Sequence, residues 1–250
     1  MTNAPPPILA SWRGHCPICE QDTVFEARNP WFRDYLICQT CHGGSIPRER
    51  ALMQVLRELA PGWKAQAIHE SSPASRGTSV VLARDCVAYV ATQFYPDTPR
   101  GAYRDGVRCE DLEQQTFDDE TFDLVVTQDV MEHVFHPDRV YREVWRTLKP
   151  GGLYIHTTPI YKDRVTSERR AAIEPDGTVT HLAEPEYHGN PVDPKGSLVT
   201  FHYGYDLADL IAGWTPFEVE IRRFHQRLSG IVAEFSEVIV CRKAQATAGG

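Results

Sequence analysis

Residues 122–158, FDLVVTQDVMEHVFHPDRVYREVWRTLKPGGLYIHTT, place one amphipathic segment between two short apolar runs. DLVVT (123–127) is β-branched and almost free of polar groups, which suits a strand covered on both faces. PDRVYREVWRTLKPGG (137–152) sets Val140, Val144 and Leu148 on one helical face, with Pro137 in the first turn and Pro150-Gly151-Gly152 as the stop. LYIHTT (153–158) is the next strand. Strand, helix and strand at this spacing imply a parallel pair joined by a right-handed crossover.

The same alternation extends on both sides. RERALMQVLRELAPG (48–62) is a helix burying Leu52, Val55, Leu56 and Leu59, and AQAIH (65–69), CVAYVAT (86–92) and GVRC (106–109) are further strands. DLADLIAG (206–213) reads as a helix with Asp206 as N-cap. FEVEIRRFH (217–225) and EFSEVIVCRK (234–243) read as an antiparallel pair. The expected class is α/β with a mainly parallel sheet over residues 48–243. Residues 159–203 break the rhythm with prolines and glycines at 175, 177, 185, 189, 191, 194 and 196, and loops this long are usually functional covers or disordered. Residues 1–12 are expected as a flexible arm and 244–250 as a tail.

Composition narrows the function. A chain of 250 residues can bury one substantial core with a small appendage. The formal charge of −8 opposes a general binder of nucleic-acid backbones. No run of about 18 apolar residues is present to span a membrane, and MTNAPPPILASW lacks the basic start of a signal peptide. Seven cysteines, four of them in two tight pairs, suit a reducing compartment and a metal better than disulfides. Cytoplasmic residence is expected.

Those pairs are Cys16-Pro-Ile-Cys19 and Cys38-Gln-Thr-Cys41. Four thiolates in two Cys-x-x-Cys turns match tetrahedral Zn2+, and with every position filled by sulfur the ion is structural. Residues 13–47 are therefore expected to form a zinc-ribbon-like module that draws much of its folding free energy from the metal. Cys86, Cys109 and Cys241 fall in or beside strands and read as core thiols.

Phe122-Asp123, Glu132-His133 and Leu148-Lys149-Pro150-Gly151-Gly152 occur in an order that resembles the class I S-adenosylmethionine-dependent methyltransferases of the type 11 group, over about residues 50–160. The resemblance implies a Rossmann-like seven-stranded sheet, parallel except for one strand of the closing hairpin, with residues 159–203 as a substrate-facing insertion after strand five. In such sheets ligands bind outside the carboxyl ends of the strands. It also implies S-adenosyl-L-methionine as cofactor. Glu70 would bind its ammonium group, and Ser71, Ser72, Pro73 and Ala74 stand where relatives carry a glycine loop. Gln93 takes the place of the acid that grips the ribose. Asp111 and Leu112 would meet the adenine, and Gln128, Asp129 and Val130 would line the cofactor.

The catalytic candidates are His133, Tyr187 and His188. A hydroxyl acceptor needs a base, and histidine suits that near neutral pH; His133 can equally serve only to pack the following helix. O-methylation of a small or carrier-held molecule is the expected activity. A methyltransferase-fold scaffold without catalysis and an RNA methyltransferase with a zinc-module reader are the alternatives. Against the last, residues 1–60 balance six arginines with six acids. A protein partner or a homodimer stays open.

Overall fold

A computed structural model describes residues 6–190 and 192–245. Residues 1–5 of the expected arm, Pro191 of the insertion and residues 246–250 of the expected tail lie outside the described residues. The chain enters as a strand earlier than expected. β1 (Ala10–Cys16) pairs antiparallel with β2 (Gln21–Ala27), so Ala10, Ser11 and Trp12 oppose Ala27, Glu26 and Phe25 and belong to the sheet rather than to an arm. A short helix, α1 (Phe32–Tyr35), leads into β3 (Leu36–Cys38), which pairs with β2.

Helix α2 (Pro47–Leu59) follows, with proline in its first turn and the Glu49 carboxylate accepting the Ile46 N–H at 3.0 Å. Its buried Leu52, Met53, Val55 and Leu56 sit in one apolar cluster with Phe25, Leu36 and Cys38 of the three-stranded sheet and Ile68, Leu124 and Val240 of the main sheet. The cysteine-bearing segment and the main domain thus share a core. Arg50 lies at that junction, fully buried. Its guanidinium donates to the carbonyls of Leu36, Ser45 and Gly230 and rests on the face of Phe25.

The α/β part runs β4 (Ala67–Ser71), α3 (Gly77–Asp85), β5 (Ala88–Gln93), β6 (Tyr103–Arg104), β7 (Val107–Cys109), β8 (Phe122–Gln128), α4 (Pro137–Thr147) and β9 (Leu148–Thr157). The LKPGG residues open β9 instead of closing the helix, with Leu148 opposite Phe122. The insertion contains three short antiparallel pairings. These are β10 (Glu168–Arg169) with β15 (Phe201–His202), β11 (Ala171–Ile173) with β12 (Val179–His181), and β13 (Tyr187–His188) with β14 (Ser197–Leu198). Helix α5 (Leu207–Trp214) and the hairpin of β16 (Glu218–Arg222) and β17 (Val238–Arg242) complete the fold. Asp206 does not cap α5; its carboxylate accepts the Ser167 N–H and hydroxyl at 2.8 and 2.6 Å.

The main sheet has the order β16-β17-β9-β8-β4-β5-β7-β6. It holds eight strands rather than the expected seven because two-residue β6 adds antiparallel to the edge of β7. Strands β4, β5, β7, β8 and β9 are parallel, and β17 runs antiparallel to β9. Alternation along β8 sends Leu124 and Val126 to the cluster with α2, and Val125 to a second cluster with Val140, Tyr141 and Val144 of α4 and Ile211 of α5. Both faces are covered, so the strand ends are what the sheet offers a ligand. No helix among the described residues is long and apolar enough to cross a membrane.

Candidate functional site

A cavity of about 1450 Å3 opens along the carboxyl ends of β4, β5, β7 and β8. That exceeds the roughly 300–1000 Å3 typical of single small-molecule sites, leaving room for a cofactor and an acceptor together. A smaller hollow of about 420 Å3, near Trp31, Lys162 and Phe224, contains none of the strand-end residues.

The loop after β4 keeps a glycine-like path without the glycines. Ser72 adopts a φ of 56°, and its N–H bonds the Thr92 carbonyl at 2.8 Å. Such a φ normally favours glycine. Gly77, at φ 61°, is required sterically, since a Cβ there would collide with the Glu49 carboxylate. Ser71 and Ser72 line the cavity, whereas Pro73 and Ala74 do not. Glu70 does not reach it either. The carboxylate is 1% exposed and already accepts from Ser79 Oγ (2.6 Å), Tyr89 OH (2.8 Å) and Gln128 Nε2 (3.1 Å). Burial raises its pKa despite those donors. Glu70 therefore braces the loop, and the expectation that it binds an ammonium group is corrected: the lone pairs are used inside.

Gln128 is the residue that this bracing presents. Its amide nitrogen bonds Glu70 and Ser79, while Oε1 is buried at the cavity and has no partner among the described residues. An unpaired acceptor of this kind fits a cationic donor group, so the ammonium end of a methionine moiety fits here. Gln93, at the end of β5, and Asp111 and Leu112, after β7, also line the cavity. Asp111 Oδ1 accepts the Glu113 N–H at 2.9 Å, and burial followed by the Glu113 charge raises its pKa.

Asp129 and Val130 line the cavity too, but Asp129 is engaged elsewhere. Its carboxylate pairs with Arg33 at 2.6 Å and Arg48 at 2.7 Å and accepts from Thr157 Oγ1 at 3.0 Å. Burial alone would raise its pKa; the two guanidinium groups overcome that and hold it well below the usual carboxylate range. Arg33, Asp34 and Arg48 themselves face the cavity, so the N-terminal segment forms one wall. The sequence carries no local sign of this.

The opposite wall comes from the insertion. His133 Nδ1 donates to the Leu198 carbonyl at 2.9 Å, which leaves Nε2 with the lone pair. Burial lowers its pKa, so the ring is neutral near pH 7. His188 and Tyr161 also line the cavity. Tyr187 does not: it precedes His188 on β13, points to the other face, and is 53% exposed. Its assignment as a catalytic candidate is withdrawn for that reason. His136 is held by Glu113 at 2.7 Å beside the start of α4.

The four module cysteines converge. Their sulfur atoms lie within 4.8 Å of one another, with Cys16 to Cys41 at 3.6 Å and Cys19 to Cys38 at 4.0 Å. A tetrahedral ion with Zn–S bonds of about 2.3 Å needs sulfurs about 3.8 Å apart, so the cluster fits zinc. Buried Arg50 beneath it supplies positive charge against the thiolates.

Residues 72–156 match the family model described as a methyltransferase domain. The fold is similar to that of a chain assigned as an S-adenosylmethionine-dependent methyltransferase from Listeria monocytogenes, at a TM-score of 0.52 and 11% identity over 80% of this chain and 99% of that one. The chain has the class I S-adenosylmethionine-dependent methyltransferase fold. A second similar structure is the complex between the Haloferax volcanii Trm112 methyltransferase activator and its assigned methyltransferase, at 0.50 and 13% over 81% of this chain and 92% of that one. An S-adenosylmethionine-dependent methyltransferase from Mesorhizobium loti aligns at 0.49 and 16% identity, over 77% of this chain and 97% of that one. Among curated proteins no match is found. In this methyltransferase fold the cavity occupies the strand ends where the fold binds its ligands.

Proposed function

We propose that the chain transfers a methyl group from S-adenosylmethionine to an oxygen of a small or carrier-held acceptor. The observation that supports this reading most is the continuity of one cavity from Ser72, Gln93 and Asp111 to His133 and His188. The cofactor supplies, when bound, a methyl group on cationic sulfur. That group is intrinsically reactive, so alignment and water exclusion are the protein's main tasks.

In this reading Ser71, Ser72 and the free Oε1 of Gln128 hold the methionine end. Gln93 donates to the ribose hydroxyls through its amide. Asp111 accepts from the adenine amino group, with Leu112 against the ring. Asp129 positions the loop after β8 through Arg33 and Arg48, and Val130 lies beside it. His133 Nε2 meets the acceptor hydroxyl and takes its proton. Zn2+ at Cys16, Cys19, Cys38 and Cys41 is structural and fixes the wall that carries Arg33. The seven free cysteines suit a reducing, cytoplasmic setting.

A scaffold that has lost catalysis is the second reading, favoured by the withdrawal of Glu70 from the cavity. The open path past Ser71 and Ser72 weighs against it. Incubation with methyl-labelled cofactor and a metabolite extract separates the two. The expected result is label on a hydroxyl-derived oxygen, with His133→Ala lowering kcat by about a hundredfold while cofactor affinity holds. No transfer to any component would favour the scaffold.

A further inference from the structure

One cluster sets a buried carboxylate behind two histidines that line the cavity, away from the residues assigned to the cofactor. Glu132 and His133, on the single helical turn after β8, and His188, on β13, each offer one ligating atom, and these atoms lie within 4.8 Å of one another. Glu132 Oε1 stands 3.9 Å from His133 Nε2 and 3.9 Å from His188 Nδ1. Those gaps are too long for hydrogen bonds. Yet Glu132 is only 2% exposed, and Oε1 has no partner among the described residues. A buried carboxylate oxygen left alone is costly and calls for a cation or a donor.

The remaining atom of each group is already committed. Glu132 Oε2 accepts from Thr158 Oγ1 at 2.9 Å. His133 Nδ1 donates to the Leu198 carbonyl at 2.9 Å, and His188 Nε2 donates to Glu186 Oε1 at 3.3 Å. Each ring therefore carries its proton on the far nitrogen and turns a lone pair toward Glu132. The rings meet edge to face, 5.1 Å between centroids. Holding the outer nitrogen on a carbonyl or carboxylate is how proteins orient imidazoles that bind metals.

We propose that Glu132, His133 and His188 form a site for a divalent first-row metal ion facing the cavity. Two imidazoles and one carboxylate suit Mn2+, Fe2+, Co2+ or Zn2+. Metal–ligand bonds of about 2.0–2.2 Å require the three atoms to approach by several tenths of an ångström to about 1 Å. β13, with its two-residue pairing to β14, is the element that would move. Three protein ligands leave coordination positions free, and both histidines line the cavity. The ligand class for those positions is an oxygen-bearing acceptor, bound through its hydroxyl.

The metal site stands on its own geometry, while its use in methyl transfer rests on the function proposed above. In that use the new bond joins the acceptor oxygen to the methyl carbon, and the broken bond leaves its electron pair on sulfur. With the ion bound, His133 Nε2 is a ligand and the hydroxyl proton goes to cavity water; with the site empty, Nε2 takes that proton as described above.

The test is a titration of Mn2+ into the full-length protein with its cysteine site loaded with zinc, reading free Mn2+ by electron paramagnetic resonance. Thiolates are poor ligands for Mn2+, so the cysteines do not compete. A parallel calorimetric titration uses Zn2+. The expected result is one ion per chain, with affinity at least about tenfold weaker in Glu132→Gln and in His188→Ala. His188→Ala removes a ring on the insertion without touching the core, so it decides the matter if Glu132→Gln fails to fold. No binding of either ion by the wild type, or equal affinity in His188→Ala, overturns the site. Neither result depends on cofactor binding, so a failed metal site and a failed methyltransferase reading are told apart.

Discussion

The two walls of the cavity are built in opposite ways. The N-terminal wall shares its core with the sheet, buries Arg50 completely, and clamps the loop after β8 through Arg33, Arg48 and Asp129. The insertion wall consists of pairings two or three residues long. It rests on the segment after β8 through Thr200, whose N–H and hydroxyl meet the carbonyls of Glu132 and Val134 at 2.7 and 2.6 Å, and through Tyr203 OH on Met131 at 2.9 Å. One wall is part of the folding unit and, in the proposed function, sets the cofactor end. The other is lightly held and, in that proposal, meets the acceptor. Damage to the first should register as lost stability, and damage to the second as lost chemistry.

The largest effect expected is removal of zinc. Metal binding contributes about 10–16 kcal/mol in zinc-finger peptides. Because the segment and the domain share a core, Cys38→Ser or chelation should lower the melting temperature of the whole chain, by on the order of 10 °C. Calorimetry checks this; a main transition left in place would show that the two fold apart. Next, Asp129→Asn leaves the largely buried Arg33 and Arg48 with Asp34 as their one remaining carboxylate partner among the described residues. We expect a loss of about 3–5 kcal/mol, read from the urea midpoint.

The clamp also sets a pH dependence. Asp34 and Asp129 both have folded pKa values held below the unfolded range. Their stabilisation is therefore complete above about pH 4 and is lost as pH falls through the folded values. Urea midpoints of wild type and Asp129→Asn should converge below that range; a constant gap would assign the clamp another role. The smallest effect belongs to the insertion. Tyr187→Ala should change stability by no more than about 0.5 kcal/mol, as should its neighbour His188→Ala, which nevertheless removes a group facing the cavity.

The sheet was legible because its strands are short apolar runs at regular spacing, and because Phe122-Asp123, Glu132-His133 and the LKPGG run come in one fixed order. Position relative to strand ends also brought Gln93, Asp111 and Gln128 to the cavity. Three things were not legible. The withdrawal of Glu70 depends on Ser79, Tyr89 and Gln128 converging from separate elements. The Arg33–Asp129–Arg48 clamp joins residues with no shared local pattern. Tyr187 and His188 are adjacent in sequence, and only the formation of β13 sends them to opposite faces. The sheet has eight strands instead of the expected seven for a simpler reason: a two-residue edge strand such as Tyr103–Arg104 has no periodicity to read.

The most direct test is a calorimetric titration of the zinc-loaded protein with S-adenosylhomocysteine and S-adenosylmethionine. One saturable site per chain is expected, weakened by Asp111→Ala and by Gln128→Ala. A folded wild type that gives no heat with either compound would contradict it.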